Sequence, residues 1–182
     1  MLKKIYNASF LFFSLCLVLY LVISDQKFPE PLTRAKQSRE AADSETPLRR
    51  AYFTDFNRAE VMEYYKKEFT LNIFGLFSLS PIRLNYPPEE SKVLIRDQTK
   101  STYLEELVHP LRDSIYINGF EPMVAKDAIN IEGVPYKQKI IVRLVPSNKY
   151  LRTSIALLAM GTLYFILEEL GRVLPSLVKK MK

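Results

Sequence analysis

Two apolar runs, 9–24 and 154–167, stand near opposite ends of the chain, and a long segment of mixed polarity separates them. The first run carries no charge between Lys4 and Asp25. About 20 such residues, when helical, cross a hydrocarbon core roughly 30 Å thick. The second run is shorter and meets Glu168 and Glu169 abruptly. With Leu151 added, and with Arg152 and the glutamates snorkelling, it reaches the lower limit of ~17 residues for a span. It is apolar on every side, which a helix at the surface of a small soluble domain would not be. Two membrane-spanning helices are therefore predicted.

Lys3, Lys4 and the small residue Ser24 after Val22-Ile23 also suit a cleaved signal peptide. The first run exceeds the ~7–15-residue apolar core of a signal and has no helix breaker before the candidate site, so a retained anchor is expected.

Between the spans the pattern changes twice. Residues 25–50 hold Pro29, Pro31 and Pro47 among mixed charges, with Phe28 as their one aromatic. That composition buries too little to fold and reads as a flexible linker. From Ala51 aromatics and aliphatics return, and 51–150 is long enough for one small core.

Thr54 or Asp55 is a candidate N-cap, followed by Phe56, Met62, Tyr65 and Phe69 at near-helical spacing. The apolar 71–79 contains Gly75, and Ile82–Tyr86 alternates at period two, which predicts a strand or hairpin. Pro87-Pro88-Glu89-Glu90 suits a helix start, expected to run to about Asp97. Thr102 and Glu105 have capping-box spacing for a short helix that Pro110 would end. Residues 114–117 read as a strand closed by an Asn118-Gly119 turn. Residues 136–145 form the clearest strand, entered through a Glu132-Gly133 turn. The expected fold class is α+β: a small, mostly antiparallel sheet of three or four strands with two or three helices, flanked by two transmembrane helices.

Charge orients the pair of spans. Lys3 and Lys4 precede the first; Arg172, Lys179, Lys180 and Lys182 follow the second. Basic residues close to span ends favour the cytoplasmic side. The chain then divides into a cytoplasmic N-terminus and first span (1–24), the linker (25–50), an extracytoplasmic domain (51–150), a second span (151–169) and a basic amphipathic cytoplasmic tail (170–182). Arg172, Lys179, Lys180 and Lys182 are the candidate membrane-surface residues, since cations beside an apolar stripe suit an anionic leaflet. Setting aside the six flanking cations and Glu168/Glu169 reduces 26 basic and 20 acidic residues to near balance, so the net charge of +6 points to topology and not to nucleic acid.

Candidate chemistry is sparse. The lone Cys16 lies inside the first span, as a packing residue. His109 is the single histidine, so one chain assembles neither a histidine metal cluster nor a Cys/His pair. Its place before Pro110 reads as a helix-end or loop residue. Glu89/Glu90 and Glu105/Glu106 fit first-turn helix stabilisation, and adjacent helical residues do not face each other. No phosphate-cradling glycine loop or Gly-x-Ser-x-Gly elbow is present. No cofactor, metal site or catalytic residue is expected. Asn7-Ala8-Ser9 matches a glycosylation acceptor but abuts the first span on the cytoplasmic side. Ser154, Ala156, Ala159 and Gly161 would permit close packing of the second span, with the first span as the expected neighbour.

The segments Tyr52-Phe53-Thr54-Asp55-Phe56, Tyr64-Tyr65-Lys66-Lys67-Glu68-Phe69, Arg83-Leu84-Asn85-Tyr86-Pro87-Pro88-Glu89 and Tyr103-Leu104-Glu105-Glu106-Leu107-Val108-His109-Pro110-Leu111-Arg112 carry a resemblance. Across most of 52–145 the chain resembles small two-span membrane proteins of candidate-phyla bacteria. That likeness implies membrane residence and brings no activity with it.

The functional expectation is an integral membrane protein that presents a small extracytoplasmic binding domain to another envelope protein or a surface polymer. The alternatives are an envelope hydrolase acting on glycan or peptide, and an accessory subunit of a membrane complex. An open sheet edge or exposed aromatic patch would favour binding; a cleft with converging acidic or histidine side chains would favour the enzyme.

Overall fold

The computed structural model describes residues 2–73, 75–90 and 100–180. The chain forms two compact units, one built from Met1–Ser24 with Ser147–Lys182 and the other from Asp25–Pro146.

The first unit is a pair of helices, α1 (Leu2–Val22) and α3 (Lys149–Lys180). Asn148 starts α3, its side-chain oxygen accepting from the backbone of Tyr150 at 2.9 Å and Leu151 at 3.2 Å. Lys3 meets Glu168 at one end of the pair and Arg152 meets Leu21 at the other, so the helices run antiparallel. Arg152 is buried and caps the C-terminal end of α1: Nε donates to the Leu21 carbonyl and Nη2 to the Ile23 carbonyl, both at 2.9 Å, while Nη1 donates to Ser147 Oγ at 2.8 Å. Carbonyls left over at a helix C-terminus are thereby satisfied by a cation, as the helix dipole favours.

The helices touch through aromatics, with the Tyr6 and Tyr164 rings stacked 6.4 Å apart and Phe10 5.3 Å from Tyr164. The small residue Gly161 is not at the close approach, because a Cβ there would meet nothing within 4 Å. Both helices are long and apolar enough to cross a membrane, over Lys3–Val22 and Lys149–Val173. Their apolar side chains, among them Phe12, Phe13, Leu158 and Phe165, are largely exposed, so neither is the core helix of a soluble fold. The expected second span and its tail form one continuous helix through Pro175.

The second unit is α+β. Its six-stranded sheet has the order β1-β2-β10-β7-β6-β5, with every pairing antiparallel: β1 (Lys36–Gln37), β2 (Arg49–Thr54), β5 (Ile82–Tyr86), β6 (Tyr103–Val108), β7 (Ser114–Phe120) and β10 (Gln138–Val145). Two small hairpins stand beside it, β3 (Leu71–Ile73) with β4 (Phe77–Leu79), and β8 (Ile129–Ile131) with β9 (Val134–Tyr136). The Glu132-Gly133 turn is as expected, with φ of 54° and 82°, the left-handed pair of a tight hairpin.

One helix, α2 (Arg58–Glu68), covers one face. Its N-cap is Asn57, not Thr54 or Asp55; Asn57 and Glu60 exchange a reciprocal capping box at 3.0 and 2.7 Å, while Thr54 ends β2. Val61, Met62 and Tyr65 of α2, with Phe69, pack on Tyr52, Tyr103, Leu107, Ile115, Ile117, Ile140, Val142 and Leu144. Ala51, Leu104 and Ile141 form a smaller cluster with Tyr86 and Tyr116. Alternation along the central strand β10 explains the division, since Ile140, Val142 and Leu144 share one side and Ile141 takes the other.

Further expectations are corrected. The sheet, expected to hold three or four strands, holds six. Residues 103–108 form β6, not a helix, because that segment pairs on both sides, with β5 and β7, and buries Tyr103, Leu104 and Leu107. Asn118-Gly119 is no turn: β7 runs through it. Gly119 is there for space, since a Cβ on it would lie 2.1 Å from the Tyr103 ring. Residues 25–50, expected to be a flexible linker, instead supply β1 and the start of β2 to the sheet and pack against its core. Leu32 joins the main core with Phe28 and Ala35 against it, Arg50 stacks on the Phe28 ring at 4.5 Å, and Lys139 pairs with Glu40 at 2.9 Å and Asp43 at 2.7 Å. Of the helix expected from Pro87 to about Asp97, the described residues show a 3-10 turn at Pro88–Glu90; the rest, 91–97, lies outside the described residues.

Candidate functional site

The edge strand β5 is the organising element. Its side chains alternate, so Arg83 and Asn85 lie on the α2 side and Ile82, Leu84 and Tyr86 on the other. On the α2 side the acidic residue opposite Asn85 is Glu105, which is fully buried. Arg83 grips it with two nitrogens: Nε donates to Oε2, and Nη2 donates to Oε1 at 2.5 Å. The capping box that starts α2 places Arg58 in the first turn, where its Nε donates to Glu105 Oε1 at 2.6 Å and its Nη2 to Asn85 Oδ1 at 2.8 Å. Burial alone would raise the Glu105 carboxyl; the Arg83 and Arg58 hydrogen bonds outweigh it and hold the group below the usual carboxylate range. The Arg58 guanidinium also lies 4.9 Å over the Tyr103 ring. Tyr103 donates in turn to Gln138 Oε1 at 2.7 Å, and burial raises its hydroxyl above the ordinary tyrosine value. A groove of about 350 Å³ opens here, lined by Arg58, Asn85, Tyr86, Pro88, Thr102 and Tyr103 among others.

The opposite face of β5 is apolar and open. Ile82 is 51% exposed and Leu84 39%, and in the β3–β4 hairpin Leu76 is 77% and Phe77 71% exposed. Gly75, with φ of 71°, turns that hairpin and carries Leu76 and Phe77 at its tip. Among the described residues no strand pairs with the outer edge of β5. The backbone N–H and C=O groups of such an edge are a template for another extended segment. At the end of the strand Tyr86 donates to Glu106 Oε2 of the neighbouring β6 at 2.6 Å.

The sequence-predicted candidates scatter. Glu105 and Glu106 are adjacent in a strand and point to opposite faces, each engaged by different partners, while Glu89 and Glu90 are exposed in the 3-10 turn. His109 is buried; its Nε2 lies 2.7 Å from the Phe69 carbonyl and its ring 5.2 Å from the Phe69 ring. Burial lowers its pKa despite that carbonyl, which keeps the imidazole neutral and donating. It sits at the head of the β6–β7 turn, where the Arg112 amide donates to the His109 carbonyl at 2.9 Å. Among the described residues no group of three acidic, histidine or cysteine side chains is placed to hold a metal ion. Of the membrane-surface candidates, Arg172 lies on α3 and pairs with Glu169 at 2.7 Å and Glu168 at 3.0 Å. Lys179 and Lys180 end α3, and Lys182 lies outside the described residues.

Sequence reasoning missed the Arg58–Glu105–Arg83 cluster, whose members are far apart in the chain. The legible signal was the alternation of 82–86, which placed Arg83 on one face of a strand. Searches against protein-family models, curated proteins and solved structures find no match to this chain.

Proposed function

We propose that the chain is an integral membrane protein, anchored by α1 and α3, that presents its α+β unit outside the cytoplasm and binds another envelope protein through the β5 edge and the β3–β4 tip. The observation that carries this reading is the conjunction of a strand edge that no described strand pairs with and exposed Leu76, Phe77, Ile82 and Leu84. Apolar side chains of this size beside open backbone donors and acceptors fit an extended protein segment better than a carbohydrate polymer. Retention of the first span is supported by Arg152, whose buried guanidinium has as partners the carbonyl of Leu21 in α1 and that of Ile23 just beyond it. The hydrolase reading has less support, because Glu105 is neutralised by two guanidinium groups and His109 is sealed under Phe69.

A photocrosslinking side chain placed at Phe77 or Leu84 in cells should capture the same protein, and one placed at exposed Lys126 should not. Equal capture from all three positions, or capture at 126 alone, would overturn the edge as the binding surface.

A further inference from the structure

We infer that the cavity between α1 and α3 at the Lys3–Glu168 end is a seat for the phosphoethanolamine headgroup of a membrane lipid. The inference rests on the reading that these helices span a bilayer. The cavity holds about 440 Å³ and is lined by Lys3, Tyr6, Tyr164, Glu168, Gly171 and Arg172 among others.

Its depth suits a headgroup. Helix at 1.5 Å per residue gives the apolar stretch from Ile5 to Val22 a length of about 27 Å, near the thickness of the hydrocarbon core. Lys3 and Glu168 therefore lie at the boundary where phosphates and ammonium groups begin.

Its chemistry carries both signs. Lys3 Nζ and Arg172 Nη2 both donate to Glu168 Oε1, at 2.9 and 3.0 Å. The two cationic side chains remain 71% and 62% exposed, so they keep N–H donors for phosphate oxygens. Both bonds fall on one carboxylate oxygen, so that among the described residues Glu168 Oε2 is left to accept from a primary ammonium. The stacked Tyr6 and Tyr164 rings offer that ammonium an adjacent π face. A phosphoglycerol headgroup has no ammonium to give Glu168 Oε2, and a trimethylammonium has no N–H to give the carboxylate. Gly171 lines the cavity, and a Cβ there would meet nothing within 4 Å, so a larger side chain has room to enter.

The test uses the full chain in neutral detergent, titrated with phosphatidylethanolamine, phosphatidylglycerol or phosphatidylcholine and read by native mass spectrometry, together with flotation on vesicles of the same lipids. Phosphatidylethanolamine should be retained about tenfold more tightly than the other two, the scale of one charge-assisted contact. Gly171→Leu fills the cavity while keeping every charge and favouring helix, and should remove that preference with helix content unchanged by circular dichroism. Glu168→Gln should erase discrimination between the ethanolamine and choline lipids. Soluble phosphoethanolamine at equal concentration should not displace the lipid; displacement would overturn the lipid source. Equal retention of all three lipids, or a Gly171→Leu chain that retains the preference, would overturn the headgroup seat while flotation on every vesicle leaves the membrane reading standing. Failure to float on any vesicle would instead overturn the membrane reading.

Discussion

At the scale of single residues, Gly119 and Glu105 show how position decides what a side chain does. Gly119 follows Asn118, a pair that in isolation signals a tight turn, yet the Tyr103 ring occupies the volume a Cβ would need. Gly119→Ala should force that ring out of place and destabilise the unit by about 1–3 kcal/mol, the usual cost of overpacking. Thermal melting of the full chain in detergent should show the loss as a Tm lowered by several degrees. Glu105 and His109 make a pH prediction with separable windows. Both have pKa values lowered in the folded state, so each contributes stability above its ordinary value that is lost as pH falls through its folded value. For His109 the loss begins below its ordinary 6.5, and for Glu105 below its ordinary 4.5. Melting temperature followed through acid should therefore flatten in the upper window for His109→Gln and in the lower for Glu105→Gln. Parallel curves for wild type and both variants would show that neither group is coupled to folding.

At the scale of elements, what could be read from the sequence is what local pattern determines. The alternation of 82–86, the aliphatic run of β10 and the Glu132-Gly133 turn all appear where periodicity and turn chemistry put them. The misread elements are those settled by partners distant in sequence. Thr102 and Glu105 have helix-start spacing, but residues 103–108 gain two strand neighbours and Glu105 gains two arginines, which outweighs a propensity of a few tenths of a kcal/mol per residue. The segment 25–50 has too little apolar surface to fold alone, and the sheet it joins through β1 and the start of β2 supplies what it lacks, with Leu32 entering the main core. The same dependence makes β10 the strand that matters most, since it pairs with both β2 and β7. Val142 is fully buried at its centre. Val142→Asp should cost several kcal/mol by burying an unpaired charge, a large share of the ~5–15 kcal/mol that holds a domain. Loss of the cooperative transition, with the helices α1 and α3 still folded in detergent, is the expected result; an unchanged transition would remove Val142 from the core.

At the scale of the whole molecule, the proposed topology makes the two units chemically distinct, one facing lipid and the other facing the envelope. It follows from basic residues at the Lys3/Lys4 end of α1 and the Arg172–Lys180 end of α3, which the antiparallel pairing of the helices brings to the same side. Ser44 is exposed in the α+β unit, and Ser176 lies in the basic end of α3. With Cys16 replaced by serine, a cysteine at position 44 should react in whole cells with a membrane-impermeant thiol reagent, whereas a cysteine at position 176 should react only after the membrane is permeabilised. The contrast is sharp because the orienting charges act before folding, so the assignment does not depend on how the α+β unit packs. Labelling at 176 and not at 44 would invert the topology and place the β5 edge in the cytoplasm. The partner would then have to be a cytoplasmic protein, and the binding proposal would have to be recast around it.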